Sequence, residues 1–78
     1  MMSNDVRTIL EMMVRSHDYY ESQWHNPDND EEQSQANCAA CSAIYQLIGD
    51  VCQRFNVGFN GEKCGMKGII YIGGEKMN

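Results

Sequence analysis

The side chains in this sequence best suited to chemistry are its four cysteines, Cys38, Cys41, Cys52 and Cys64. Cys38 and Cys41 form a CxxC pair inside a helical pattern, without the strand-to-helix turn that a dithiol redox site requires. On one helix Cys41 and Cys52 lie about 16 Å apart, too far to bind one metal ion. A helical hairpin turning at residues 25–30 would bring His17 level with Cys41. The spacing leaves two alternatives, which are buried thiols or a structural zinc site of His17, Cys38, Cys41 and Cys64.

Catalytic motifs are missing from the sequence. It contains no GxSxG, HExxH or P-loop pattern. His17 and Glu21 form an i,i+4 pair, but the second predicted helix has no histidine that would complete a di-iron bundle. Because no set of acid, base and nucleophile can be named, we expect a binding protein with no cofactor rather than an enzyme.

Two glycine-rich stretches, residues 58–61 and 65–68, lie beside Lys63 and Lys67. Neither leads into a helix, so neither presents a helix N-terminus to a phosphate group. A small anion or nucleotide could still be held between basic and aromatic side chains. This is the alternative function of a small-molecule-binding or sequestering protein, with a site formed by Tyr19, Lys63, Lys67 and Tyr71.

A third group combines aromatic and acidic side chains around the predicted hairpin loop. Tyrosine and tryptophan commonly anchor protein interfaces, and a carboxylate rim favours a basic partner. The sequence therefore predicts a partner-binding patch made of Tyr19, Trp24, Asp28, Asp30, Glu31 and Glu32.

The spacing of the apolar residues predicts two helices that would position these side chains. Val6, Leu10, Met13, His17, Tyr20 and Trp24 recur every three or four residues and predict helix 1 over residues 3–24. Asn26-Pro27 predicts a loop over residues 25–30, and Asp30 with Gln33 predicts a capping box. Helix 2 is predicted over residues 31–56, with a seam of Cys41, Ile44, Ile48, Val51 and Phe55. Gly49 lies within that helix and suggests close packing at this point.

Residues 57–78 predict a glycine-rich β-ribbon. Asn60-Gly61 is a strong signal for a two-residue hairpin turn, and residues 69–72 (Ile-Ile-Tyr-Ile) form a β-favouring run. The predicted fold is a single α+β domain over residues 1–78, an antiparallel helical hairpin followed by a short C-terminal β-hairpin or ribbon.

A second face of helix 2 carries Ala36, Ala40, Ala43 and Leu47. Its alanines would let another backbone approach closely, and Leu47 needs to be covered. A domain of 78 residues has a small stability margin, so a second subunit would add useful burial. We therefore expect a homo-oligomer, most simply a dimer, formed through this face or through the glycine-bounded strand.

The charge and the hydropathy of the sequence argue against two classes of function, nucleic-acid binding and membrane insertion. The formal net charge is −5, because residues 1–37 hold two Arg against eight Asp or Glu and residues 38–78 hold four Lys or Arg against three. This balance argues against direct nucleic-acid binding. No run of about 18 apolar residues and no secretory signal pattern occurs, so we expect a cytoplasmic protein that does not enter membranes.

The interpretation that unites these observations is a small acidic protein–protein interaction module that binds a basic partner non-covalently. Inhibitors and adaptors are of this kind, including accessory proteins of phages and mobile elements. The small-molecule-binding protein and the zinc-stapled structural domain remain as alternatives.

Overall fold

The computed structural model describes residues 2–78, and over that range the chain forms two α-helices followed by three β-strands. Helix α1 spans Asn4–Trp24 and helix α2 spans Glu31–Arg54. Strands β1 (Phe59–Cys64), β2 (Lys67–Ile72) and β3 (Glu75–Lys76) form an antiparallel sheet in the order β1-β2-β3. The predicted α+β class, with a helical hairpin followed by a β-ribbon, is confirmed.

Both helices begin at side-chain caps that satisfy backbone N–H groups otherwise left without partners. The Ser3 hydroxyl accepts the Val6 N–H at 3.2 Å. Asp30 accepts the Gln33 N–H at 2.8 Å, and the Gln33 side chain accepts the Asp30 N–H at 3.1 Å. The predicted capping box is therefore present, and it places the start of α2 directly after the loop.

The end of α2 differs from the prediction. The helix ends at Arg54 because Asn56 adopts a left-handed φ of 56° and turns the chain. The Val57 N–H then donates to the Cys52 carbonyl at 2.8 Å, and the Asn56 N–H donates to Gln53, as in a Schellman motif. Phe55, predicted to close the buried seam, is therefore 55% exposed at the helix end.

The predicted turn at Asn60-Gly61 is wrong. Both residues lie inside β1, where Asn60 pairs with Tyr71 and Gly61 pairs with Ile70. The chain reverses instead after Cys64 and again after Ile72, where Gly65, Gly73 and Gly74 all adopt positive φ. Gly61 serves another purpose, because a Cβ at this position would overlap the Tyr45 hydroxyl of α2.

The core lies between the helical hairpin and the sheet. Its buried cluster consists of Leu10, Val14, Ile48, Cys52, Ile70 and Ile72. Val14 lies outside the predicted seam of α1 and is buried because that helix packs against the sheet as well as against α2. Gly49 permits close packing as predicted, since a Cβ there would lie 3.2 Å from the Phe59 ring.

The described chain is a thin slab, with Cα extents of 42 × 20 × 16 Å. The helices form one layer and the sheet forms the other. None of the helices within residues 2–78 has the length and hydropathy needed to cross a lipid bilayer.

Candidate functional site

A cleft of about 420 Å³ opens where the loop end of the helical hairpin meets the β1–β2 hairpin. A volume of this size lies within the range of small-molecule sites. Helix α1 contributes His17, Glu21 and Trp24, and α2 contributes Cys41, Ser42, Tyr45 and Gln46. The strands contribute Gly61, Glu62, Lys63, Gly68 and Ile69. The sequence-based expectation that His17 comes level with Cys41 is thus confirmed, since both line this cleft.

His17 is the buried polar side chain of the cleft and is 4% exposed. Its Nδ1 lies 3.0 Å from Asp18 Oδ1, which also accepts a hydrogen bond from the Asn78 side chain at 2.8 Å. An ionised carboxylate only accepts hydrogen bonds, so the His17 Nδ1–H is the donor in this pair. In the neutral ring Nε2 then carries a free lone pair.

Glu21 lies one turn after His17 and connects α1 to the sheet. Its two carboxylate oxygens accept the Gly68 N–H at 3.1 and 3.0 Å. A Cβ at Gly68 would lie 3.0 Å from Glu21 Oε2, so the glycine permits this close approach. Glu21 Oε2 lies 3.9 Å from His17 Nε2, which is beyond hydrogen-bond distance.

Cys41 is the potential nucleophile of the cleft, but its environment favours the protonated thiol. Burial raises the pKa of Cys41, and the nearby Cys38 and Glu21 raise it further. The thiol donates a hydrogen bond to the Cys38 carbonyl at 3.3 Å. Because the thiolate is the reactive form, the raised pKa disfavours nucleophilic attack by this thiol.

The predicted zinc ligands do not meet in this structure. His17 and Cys41 share the cleft, whereas Cys64 is exposed on β1. Within residues 2–78 no three His, Cys, Asp or Glu side chains are grouped so that they could hold a metal ion. The structure therefore does not bring His17, Cys38, Cys41 and Cys64 together.

The four residues of the predicted small-molecule site are also dispersed. Lys63 lines the cleft, and Tyr71 lies in a separate depression, where its hydroxyl donates to Glu62 at 3.1 Å. Lys67 donates to the Asn78 carbonyl at 2.9 Å. Tyr19 is exposed on α1 and packs edge-on against Tyr20.

The residues of the predicted partner patch lie at the loop end of the hairpin. Trp24 is half-buried and stacks on His25, with ring centroids 4.3 Å apart. Tyr19 is exposed, as are the four acidic residues Asp28, Asp30, Glu31 and Glu32. Asp30 has a structural role as well, because its carboxylate caps α2.

A second surface, called here the open face, lies on the side of the helical hairpin opposite the sheet. Its exposed apolar residues are Ile9 of α1 and Leu47 of α2. Beside them on these helices lie the half-buried Tyr20 and Ala40, and Val6, Met13, Ile44 and Val51, which are half-buried and also pack against the core cluster. Ile9 and Leu47 are each 53% exposed. Ile9 lies nine residues, or about two and a half turns, from Asp18, which faces the sheet through Asn78. Leu47 lies two residues from Tyr45 and from Gly49, both beside Phe59 of β1, so it points about 160° away from them.

A second face of α2 was predicted from Ala36, Ala40, Ala43 and Leu47, but Ile9 of α1 was not assigned to any surface. Met13 and Tyr20 were assigned to the seam of helix 1, and Ile9 lies about one turn before Met13. The two rows meet only when the hairpin forms. No family model, curated protein or solved structure matches this chain.

Proposed function

We propose that this protein is a non-covalent protein-interaction module whose first partner is a second copy of the same chain. The observation that carries this proposal is the open face, an apolar surface of the helical layer that the sheet does not cover. A helical layer with apolar side chains on both sides is stabilised when both sides are packed. A second copy offers an apolar surface of matching length.

The size of the open face supports this partner. Helices of 21 and 24 residues are about 31 and 36 Å long at 1.5 Å per residue. Two helices side by side therefore present a face of roughly 600 Å² in projection, using a helix diameter of about 10 Å. This area is that of one whole side of the helical layer, polar residues included, and it sets an upper limit close to the roughly 800 Å² that each partner buries in a typical stable interface.

The shape of the face also favours a two-fold arrangement. Large side chains, including Ile9 and Met13, lie on α1, whereas Ala40 opens space on α2. A two-fold axis through the face would place α1 of each copy against α2 of the other. The same residues would then make the contact in both copies, with Ala40 giving room between the larger side chains of α2, as a self-complementary interface requires.

The alternative route to a dimer, pairing through the glycine-bounded strand, is less favoured by the contacts of β2. This strand pairs with β1 along one edge and with the short β3 at the end of the other edge. Beyond β3, Asn78 accepts the Ile70 N–H at 2.9 Å, and Glu21 accepts the Gly68 N–H. These contacts use the backbone groups that a second chain would need.

The acidic loop end would then serve a second, basic partner. In a dimer this end occurs twice, so a partner with two basic sites would gain affinity from simultaneous contact. An inhibitor or adaptor role follows from such binding, with Tyr19 and Trp24 as apolar anchors. We place the protein in the cytoplasm, where its free cysteines would stay reduced. Binding rather than catalysis is favoured because the raised pKa of the Cys41 thiol disfavours nucleophilic attack.

The test is the molar mass in solution, measured by light scattering after size-exclusion chromatography over a range of concentrations. The informative variant is Leu47→Glu, which places a charge on the open face while keeping a good helix former. Its matched control is Met66→Glu, which changes an exposed residue in the β1–β2 turn. We expect dimers for the native chain and for Met66→Glu, and monomers for Leu47→Glu. A native chain that stays monomeric at every concentration would refute the proposal.

A further inference from the structure

The cleft at the loop end of the hairpin holds two hydrogen-bond acceptors that converge without a shared donor. His17 Nε2 and Glu21 Oε2 lie 3.9 Å apart, and their side chains are 5% and 12% exposed. With the Nδ1–H of His17 donated to Asp18, the Nε2 of the neutral ring is an acceptor on the side of the ring toward Glu21. Within residues 2–78 no buried side-chain nitrogen or oxygen lacks a hydrogen-bond partner, so these two acceptors are available from the cleft and not orphaned in the core.

A positively charged hydrogen-bond donor fits this pair of acceptors best. A nitrogen placed about 2.9 Å from each acceptor would subtend roughly a right angle between them, which an ammonium or guanidinium group can span. The carboxylate of Glu21 accepts only one backbone N–H, shared between its oxygens, and retains lone pairs for a charged donor. Hydrogen bonds to a charged donor are about twice as strong as neutral ones.

The walls of the cleft suit an apolar stem behind that cation. Trp24, Tyr45 and Ile69 line it, and the Tyr45 ring lies 6.0 Å from the His17 ring. Aromatic faces attract cations, and aliphatic carbons gain from burial against them.

The remaining charged groups of the cleft are Glu62 and Lys63, both on β1. Glu62 accepts the Tyr71 hydroxyl on the outer side of the sheet. Lys63 carries the same charge as a bound cation and would repel it. Lys63 should therefore weaken the binding of a cation in the cleft.

We propose that this cleft is a binding site for a cationic nitrogen donor, a guanidinium or primary ammonium group, carried on a short apolar stem. The group donates to His17 Nε2 and Glu21 Oε2, and its stem packs against Trp24 and Tyr45. The ligand is either a free alkylamine or alkylguanidine, or an arginine or lysine side chain of a protein partner. This site is separate from the open face, so its test is independent of dimer formation.

Trp24 is the single tryptophan of the chain, so its fluorescence reports on the cleft directly. The native protein would be titrated with butylguanidine, with its neutral analogue butylurea and with butyrate, at constant ionic strength. We expect saturable binding of butylguanidine, with at least about tenfold weaker binding of butylurea, the difference that a charged hydrogen bond supplies. Equal binding of butylurea, or tighter binding of butyrate, would overturn the proposal.

Two substitutions with opposite expected effects locate the site. Glu21→Gln should weaken butylguanidine binding about tenfold or more, whereas Lys63→Met should strengthen it. The matched control is Asp5→Asn, which removes the same charge from the exposed start of α1, at the end of that helix remote from the cleft, and should leave affinity unchanged. Weaker binding by Lys63→Met, or equal losses in Glu21→Gln and Asp5→Asn, would contradict the assignment.

Glu21→Gln also removes an acceptor of the Gly68 N–H, so a second measurement keeps the test independent of folding. Amide chemical shifts of the native chain should move at Glu21, Lys63 and Gly68 on addition of butylguanidine, and should stay constant at Asp5. Shifts confined to the acidic loop would overturn the proposal. A capped arginine peptide that binds as tightly as butylguanidine would support a protein partner as the source, and binding of the free compound alone would support a small ligand.

Discussion

The packing of β1 against α2 makes a sharp prediction for Gly61, which lies beneath Tyr45. A Cβ added at Gly61 would overlap the Tyr45 hydroxyl, whereas a Cβ at Gly58 would meet no atom within 4 Å. Gly61→Ala therefore forces the tyrosine ring or the strand to move, and overpacking of this kind costs about 1–3 kcal/mol. Gly58→Ala should be neutral, or stabilising by about 0.4–1 kcal/mol, because alanine restricts the unfolded chain.

The assay is urea unfolding followed by helical circular dichroism, with all variants at one protein concentration. We expect Gly61→Ala to lie roughly 1–4 kcal/mol below Gly58→Ala in unfolding free energy, by adding the two effects. A difference of that size is a large share of the stability of a small domain.

A double-mutant cycle identifies the cause of the loss. Tyr45→Phe removes the nearest overlapping atom, so the cost of Gly61→Ala should be smaller in the Tyr45→Phe background. Equal stabilities of Gly61→Ala and Gly58→Ala would show that β1 does not lie against Tyr45 as described.

Three further predictions test the core, the acidic loop and the contact between α1 and β3. Ile48→Asp should abolish the cooperative unfolding transition, because it buries an unpaired charge at a fully buried core position, and unchanged melting would contradict the α2 register. Replacing Asp30, Glu31 and Glu32 with serine should leave both helices intact, because serine also caps a helix N-terminus. The same change should weaken the binding of a basic polypeptide, measured by calorimetry. An unchanged affinity would exclude the loop from binding. Hydrogen bonding and charge from Arg7 lower the pKa of Glu75, so the stability from this pair is present above the ordinary value of 4.5 and is lost as the pH falls through the lowered pKa. Glu75→Gln should remove this part of the acid dependence in melting curves, whereas an acid dependence equal to that of the native chain would show that the pair contributes nothing.

The helices could be predicted from the sequence because their signals are local. Ser3, Asp30 and Gln33 act on backbone groups within one turn, and the apolar spacing of Leu10 and Ile48 reports directly on burial. The strand boundaries could not be predicted as well. The dipeptide Asn60-Gly61 is typical of a turn. In the structure Gly61 lies in a strand instead, where the Tyr45 hydroxyl leaves no room for a Cβ, and that contact depends on tertiary packing.

The candidate site was predictable only in part for the same reason. The hairpin turn predicts that His17 and Cys41 are level, since it depends only on helix geometry. The contact between Glu21 and the Gly68 N–H depends on how the sheet docks on α1, which no local pattern specifies. Lys63 and Tyr71 were grouped by residue type, and their strand register places them in different depressions.

The central claim is that the open face contacts a second copy of the chain. The most direct test is an isotope-filtered nuclear Overhauser experiment on an equimolar mixture of labelled and unlabelled protein. The account predicts contacts between the chains from the methyl groups of Ile9 or Met13 on α1 to those of Ala40 or Leu47 on α2. Contacts between chains only through β1 or the Met66 turn, or no such contacts in a sample shown to be monomeric, would contradict it.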